Sequence, residues 1–492
     1  MKRRTFVHLA GLTAGAGLLS PQWVFSRSWQ EFASQRPAPG QRRFTSQAVE
    51  DQIQQVKAAI PDRELAWMFE NCYPNTLDTT VEVGEWNGKP DTFVITGDID
   101  AMWLRDSCAQ VWPYLPLIPK DEPLKRLIHG LVNRQVQCVL LDPYANAFYK
   151  DGSRKSEWDG DRPQLLPGVH ERKWEIDSLC YVVRLSHGYW KTSGDASIFD
   201  ADWDRAMRLI VDTFRTEQRK NGDSPYYFTR MTTWMIDAPP FSGKGHLIRP
   251  VGLIASMFRP SDDSTVFPFL IPSNLFAVQS LLQLDEIYRT VRKDSAFAAQ
   301  CLALANEVDA AIKQYAVRKH LQFGKIYAYE VDGYGNALFQ DDANVPSLMS
   351  LAYLGVHQPG DPLYQRTRQF LLSDHNPYFF RGKAASGQAS PHSGKRRIWP
   401  MGIILRAMTS TDEKEIVECL RMLKRTHAGT GFMHEAFDMD DPADFTRKWF
   451  AWQIPFSASL LLNCIRNGLD YWLPFELNRL PCLSLLPFMY IR

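Results

Sequence analysis

The sequence predicts an all-α protein, an (α/α)6 barrel formed as a toroid of six helical hairpins with short β insertions in its rim loops. Three observations carry that expectation. From about Ser46 almost to the end of the chain, apolar residues recur at spacings of three and four, the helical period, while strand signals are few and short. Successive helices alternate between one apolar stripe and apolar character nearly all round. Polar and aromatic clusters stand at or just before the start of every second helix.

In chain order, the spacing predicts twelve helices, the first over 46–72 with a break at Pro61. The next five cover 101–117, 122–141, 174–191, 201–220 and 272–292, and the last six cover 295–316, 342–354, 362–372, 397–408, 412–426 and 448–466. The fifth carries Trp203, Met207, Ile210 and Phe214 on one stripe, and the seventh carries Phe297, Cys301, Leu304, Val308 and Ile312, as half-solvated outer helices should. The stretches 274–284 and 450–462 are apolar nearly all round, as inner helices buried on every side should be. Alternating outer and inner helices make a double ring whose inner helices present their N-terminal ends to one rim.

The clusters fall on that rim. They are Trp103-Leu104-Arg105-Asp106-Ser107, Trp174-Glu175-Ile176-Asp177-Ser178, the segment 259–274, Asp341 to Ser347, Ile398-Trp399-Pro400-Met401, and Arg447 to Trp452. Pro272, Pro346 and Pro400 suit the first turn of a helix, where a missing N–H costs nothing. Taken singly, each cluster is most simply a helix cap, because Asp, Asn and Ser are preferred there. Six of them, rich in Trp and acids at equivalent places in a ring, favour a pocket. Long insertions at 221–270 and 373–396 border the same rim, and loops of that length are usually functional.

Composition narrows the chemistry. With 492 residues, 45% hydrophobic and 23% charged, the chain has material for a large core, and its net charge of +1 argues against a nucleic-acid partner. Its 12% aromatic content suits a sugar cleft as well as a core. The eight cysteines form neither a zinc pattern nor a compact disulfide framework, so buried free thiols are the expectation. No histidine or acid spacing demands a metal, and no cofactor is expected. At the N-terminus, Lys2-Arg3-Arg4-Thr5-Phe6-Val7 followed by an uncharged stretch to Leu19 reads as a twin-arginine export signal, shorter than a membrane anchor. Residues 1–43 are thus expected to be signal and linker, residues 44–492 a single catalytic domain, and the product a monomer exported to the periplasm or beyond.

Two acids in two irregular loops supply the candidate chemistry. Asp262, beside Asp263 in Arg259-Pro260-Ser261-Asp262-Asp263, is the candidate general acid, its proton held on by the neighbouring charge and by burial. Asp263 is the alternative donor. Glu435, in Gly431-Phe432-Met433-His434-Glu435-Ala436-Phe437, is the candidate base that activates water, completing the two carboxylates that glycoside hydrolysis requires. Trp103, Arg105, Asp106, Glu175, Asp177, Arg259, Asp263, Asn274, Asp342, Asn344, His392, Trp399 and Trp449 are the expected sugar-binding residues, the tryptophans as stacking walls. A terpene cyclase would share the helices but lacks its DDxxD spacing after Asp262, and a non-catalytic sugar-binding protein is the second rival. A phosphorylase would need a phosphate site near Glu435, for which His434 and Arg447 are candidates.

The runs AMWLRDS, EIDSL, RPSDD with IPSN, DDANVPS, NPYFFRG, SPHSG with IWPM, and GFMHEAF with WFAWQ resemble glycoside hydrolase family 125, the exo-α-1,6-mannosidases, over about 45–462. The resemblance implies an (α/α)6 barrel, a metal-independent reaction that inverts the anomeric centre, and release of terminal non-reducing α-1,6-linked mannose. It places the acid at Asp262 and the base at Glu435. After about Asn467 the chain departs from the family's motifs.

Overall fold

The computed structural model describes residues 32–466. The expected signal segment over 1–31 and the apolar tail over 467–492 lie outside the described residues. The helices are α1 (Gln47–Ala59), α2 (Arg63–Cys72), α3 (Asn75–Thr79), α4 (Leu104–Val111), α5 (Glu122–Leu141), α6 (Ile176–Ser193) and α7 (Ala201–Glu217). They continue with α8 (Pro240–Gly243), α9 (Ile271–Ile287), α10 (Ser295–Tyr315), α11 (Pro362–Leu371), α12 (Pro400–Met408), α13 (Glu413–Thr426) and α14 (Ile454–Arg466).

Inner and outer helices differ as the apolar patterns require. Every residue of α4 is buried, and α6 is buried continuously from Ile176 to Tyr189. By contrast α7 buries one stripe, including Trp203, Met207, Ile210 and Phe214. α4 packs on α6, α6 on α9, α12 on α14 and α14 on α4, while the 3₁₀ turn Met349–Leu351 bridges α9 to α12. The result is a barrel-like ring of buried helices, with α10 lying against α9 and α13 against α12.

The two classes also start differently. Asp121, Asp200, Asp294 and Asp412 cap α5, α7, α10 and α13, each carboxylate accepting from a backbone N–H of the first turn. The residues before α4, α6, α9 and α12 are Trp103, Glu175, Leu270 and Trp399, and none makes a side-chain cap bond. The polar clusters on the inner ring are therefore not conventional caps.

Several elements differ from the sequence expectation. The stretch expected as a helix over 342–354 holds only the 3₁₀ turn Met349–Leu351, because side chains take the backbone donors: Asp341 accepts from Leu348 N and Met349 N, and Ser347 and Ser350 bond each other's backbone. Pro346 accordingly does not open an α-helix. The helix expected over 101–117 begins only at Leu104 and turns to 3₁₀ at Trp112–Lys120, where Pro113, Pro116 and Pro119 remove donors. The expected 448–466 helix begins at Ile454. The hairpin pairing Val81–Trp86 with Lys89–Val94 is absent from the sequence expectation, although Asn87-Gly88, both at positive φ, is the usual signal for its two-residue turn. The linker expected to 43 is fixed from Phe32 onward: Phe32 packs on Trp67, and Arg36 bonds both Asp78 and Glu50. The seven cysteines among the described residues are buried free thiols, and Cys482 lies outside them.

Trp203 has no exposed surface, and its indole N–H donates to Ser186 Oγ at 3.1 Å. Trp203→Ala should destabilise the protein by about 3–5 kcal/mol, whereas Arg205→Ala on the exposed side of the same helix should cost under about 0.5 kcal/mol. Urea unfolding of the two variants checks the assignment of α7's faces.

Candidate active site

Three small sheets present the site. In the first, Met102–Trp103 pairs with Ala147–Phe148, which pairs with Val169–Glu171, and the register sets Trp103, Ala147 and Glu171 in one row. Arg105, Asn146 and Lys173 lie within two residues of that row. In the second, Arg397–Ile398 pairs with Ala436–Asp438, which pairs with Phe445–Thr446. Trp399, Glu435 and Arg447, each flanking a strand, thereby come to one sheet end. In the third, Phe269–Leu270 pairs with Glu330–Val331, which steadies the loop before α9.

Arg105 is the hub. Its Nη1 donates to Glu175 Oε2 at 2.6 Å and Asp177 Oδ2 at 3.1 Å, its Nη2 donates to Asp262 Oδ1 at 3.1 Å, and its Nε lies 3.5 Å from Asp106 Oδ2. Trp452 covers it, 5.0 Å from guanidinium to ring. Arg105 alone does not balance these four carboxylates, three of them buried and Asp262 23% exposed at its side chain. Burial pushes Asp106 up to about 7 despite Arg105, and burial drives Glu175 well above the usual carboxylate range.

The adjacent acids part company. Asp262 sits in the left-handed region at φ 64°, a conformation that costs a non-glycine residue about 1 kcal/mol or more. Its turn is closed by Asp262 N donating to Arg259 O at 2.9 Å and Arg259 N to Asp263 O at 2.8 Å. The Asp262 side chain accepts from Arg105 and from Asn146 Nδ2 at 3.3 Å, and its carbonyl accepts from Lys173 Nζ at 2.8 Å. Asp263 faces His392, 3.1 Å away, and Ser261. Burial raises the Asp262 carboxyl, but Arg105 and Lys173 outweigh it and hold the group well below its usual range. The expectation that Asp263 keeps a proton on Asp262 is corrected, since Asp263 spends its charge on His392. Burial alone would lower His392, yet Asp263, Glu435 and Asp262 raise it to about 9.

On the other side, Glu435 is buried and accepts from Arg447 Nη1 at 3.4 Å. Arg447 also donates to Asp98 at 3.1 Å and lies 4.6 Å over Phe450. Asp106 feels Asp262 and Arg447 together, and His392 feels Asp262 and Glu435 together. The two candidate catalytic acids thus share one electrostatic site.

The remaining candidates divide. Asp342 accepts from Asn344 Nδ2 at 2.7 Å and Ser390 Oγ at 3.1 Å, joining the loop that carries His392. Asn274 is corrected: its amide donates to Ile254 O and Leu270 O and accepts from Ile254 N, so it fastens the loop and has no donor left for sugar. Arg259 is drawn to Glu330, its Nε donating at 2.7 Å, and braces the acid loop. Trp399, expected as a stacking wall, is buried edge-on to His392 with its N–H on Ser393. Trp103 is likewise buried, edge-on to His170. Trp449 is half-buried and donates to Asn75. Sequence reasoning missed Lys173, Asn146 and Glu171; the run Asp142-Pro143-Tyr144-Ala145-Asn146, a polar and aromatic cluster on the same rim, could have pointed to Asn146.

The profile of the metal-independent alpha-mannosidase family GH125 matches residues 62–462. The chain belongs to that family. It is a glycoside hydrolase and an alpha-mannosidase. The Meiotically up-regulated gene 157 protein of Schizosaccharomyces pombe is 41% identical over 454 residues, 88% of each chain. A metal-independent alpha mannosidase of Streptococcus pneumoniae, solved in a non-productive complex with alpha-1,6-mannobiose, superposes with a TM-score of 0.83 at 41% identity, covering 86% of this chain and 99% of that one. A bacterial glucoamylase bound to acarbose shares the fold alone, with a TM-score of 0.52 at 12% identity over 87% of this chain and 58% of that one. For this GH125 alpha-mannosidase, no described helix is long and apolar enough to cross a membrane.

Because His392 is raised from 6.5 to about 9, its charge stabilises the fold fully below pH 6.5, and that contribution is lost as pH rises through 9. Solvent screening at its half-exposed side chain limits the effect to about 1 kcal/mol. Urea unfolding should show His392→Gln less stable than wild type at pH 6, with the gap closed at pH 10.

Proposed function

We propose that this alpha-mannosidase is an exo-acting, inverting enzyme that releases terminal non-reducing α-1,6-linked mannose from glycans, with Asp262 as general acid and Glu435 as general base. The observation that carries the reading is that two acids on separate loops are each held by a different arginine, Asp262 by Arg105 at 3.1 Å and Glu435 by Arg447 at 3.4 Å. An acid and a base set apart on separate loops suit a water-mediated inverting displacement. Asp262 protonates the glycosidic oxygen while Glu435 takes a proton from the water that attacks the anomeric carbon.

Sugar recognition falls to the buried polar atoms around them. Trp103 Nε1, Asp106 Oδ2, Asn344 Oδ1 and Trp452 Nε1 are buried without a hydrogen-bond partner among the described residues, and this spare polar capacity around the two acids supports a site for hydroxyl groups. His392, Asp263, Asp342, Arg105, Glu175, Asp177 and Trp449 complete the proposed pocket, with Arg259 and Trp399 as its supports. A phosphate-using variant of the reaction is disfavoured: burial lowers His434 to about 4, its ring stacks on Phe445, and Arg447 is already engaged by Asp98 and Glu435.

The ring of buried helices supports a six-hairpin (α/α)6 barrel, and the S. pneumoniae relative's mannobiose complex supports the α-1,6 linkage. We infer export through the twin-arginine route from Lys2-Arg3-Arg4-Thr5-Phe6-Val7, with the protein working outside the cytoplasm. We propose that the enzyme works as a monomer.

Glu435→Gln should lower kcat on α-1,6-mannobiose by about 10³-fold or more with substrate affinity kept within about threefold. Asp262→Asn should lower kcat/KM on mannobiose by about 10²-fold or more but impair a dinitrophenyl mannoside, whose leaving group needs no proton, far less. Wild-type turnover in both variants would sink the assignment.

A further inference from the structure

We propose that Glu175 and Asp262 share one proton, and that Glu175 is the group from which Asp262 receives the proton it delivers to the leaving sugar. The proposal rests on Asp262 being the general acid. Ionised carboxylates only accept hydrogen bonds, so two carboxyls in hydrogen-bond contact need a proton between them. Glu175 and Asp262 lie side by side on the Arg105 guanidinium, near enough for a hydrogen bond between them. Arg105 imposes it by donating to Glu175 Oε2 at 2.6 Å and Asp262 Oδ1 at 3.1 Å from one guanidinium.

The surroundings decide where the proton rests. Glu175 Oε2 takes both Arg105 and Ser178 Oγ, the latter at 2.8 Å, whereas no N–H or O–H among the described residues donates to its Oε1. A buried oxygen without a donor is costly as a charge and natural as part of a carboxylic acid. Asp262 has Arg105, Asn146, Lys173 and His392 on its side. Glu175 has the carboxyls of Asp177 and Asp262 against the single charge of Arg105. Burial, with Asp262 and Asp177, pushes Glu175 up, while Arg105 and Lys173 pull Asp262 down. Glu171 and Asp106 are the other acids near Asp262, and Lys173 and Arg447 respectively offset them.

The resting pair is therefore Glu175-COOH beside Asp262-COO⁻. When the glycosidic oxygen arrives as an acceptor, Glu175 loses the proton as Asp262 gains it, leaving Glu175 ionised against Arg105. Asp262 passes the proton to the glycosidic oxygen as the C1–O bond breaks, and the bonding pair leaves with that oxygen. The attacking water forms the new C1–O bond and gives its proton to Glu435. Exchange with solvent then returns one proton from Glu435 to the pair. Glu175 acts through Asp262 and is a positioning and proton-holding residue.

The test is Glu175→Gln, isosteric but unable to give up a proton, assayed on α-1,6-mannobiose and on dinitrophenyl α-mannoside across pH. We expect kcat/KM on mannobiose to fall by about 10²-fold, at least about tenfold more than on the dinitrophenyl substrate, with the basic limb moved down by about one unit or more. In an Asp262→Asn background the same change should cost less than about threefold. Equal losses on both substrates, an unmoved basic limb, or multiplied losses in the double variant would overturn the proposal and leave Glu175 as an anchor for Arg105. If Glu175→Gln does not fold, Ser178→Ala replaces it. Loss of that hydrogen bond should raise the basic limb by about half a unit, and an unmoved limb overturns the proposal. Failure of the general-acid reading shows separately, as Asp262→Asn without leaving-group dependence while Glu175 is intact.

Discussion

The structure turns on Arg105, a buried guanidinium that meets Glu175, Asp177, Asp262 and Asp106. A buried cation without partners would cost several kcal/mol, and four ionised carboxylates around one cation would cost as much in the other direction. The stable arrangement is a set of carboxyls that hold fewer charges than their number, and protons sit where donors are scarce. That constraint is chemical as well as structural, because it favours a protonated carboxyl beside an ionised one, as proposed for Glu175 and Asp262.

The ring of helices makes the constraint geometrically possible. Arg105 and Asp106 sit in the first turn of α4, Glu175 and Asp177 at the start of α6, and Asp262 on the loop ahead of α9. Outer helices spend an aspartate on capping their own backbone, whereas the inner ones start on Trp103, Glu175, Leu270 and Trp399 without a side-chain cap. Acids at the inner rim are thereby left to face one another and Arg105. Short sheets set their angles, and the strand pairings around Ala436–Asp438 deliver Glu435 beside Arg447 from the far side.

Much of this was legible in the residues. The apolar stripe of Trp203, Met207, Ile210 and Phe214 separated an outer helix from the inner ones, and the clusters at Arg105, Glu175 and Asp262 marked the rim. The expected helix over 342–354 failed because Asp341, Ser347 and Ser350 bond the local backbone, a competition that apolar spacing does not register. Asn274 looked like a ligand and proved a fastener, since only the fold shows that Ile254 and Leu270 exhaust its amide. Adjacency along the chain misled most at Asp262 and Asp263: a left-handed residue turns the two side chains to different partners, so the nearest charge in sequence is not the one that governs the proton.

Arg105 and Arg447 hold Asp262 and Glu435 on separate loops, and the proposed inverting reaction requires room between them for a water. That requirement has a stereochemical consequence visible in the product. Proton NMR of the anomeric region during the first minutes of α-1,6-mannobiose hydrolysis measures it directly. The account predicts that the released mannose appears first as the β-anomer and mutarotates afterwards; mannose appearing first as the α-anomer would contradict it.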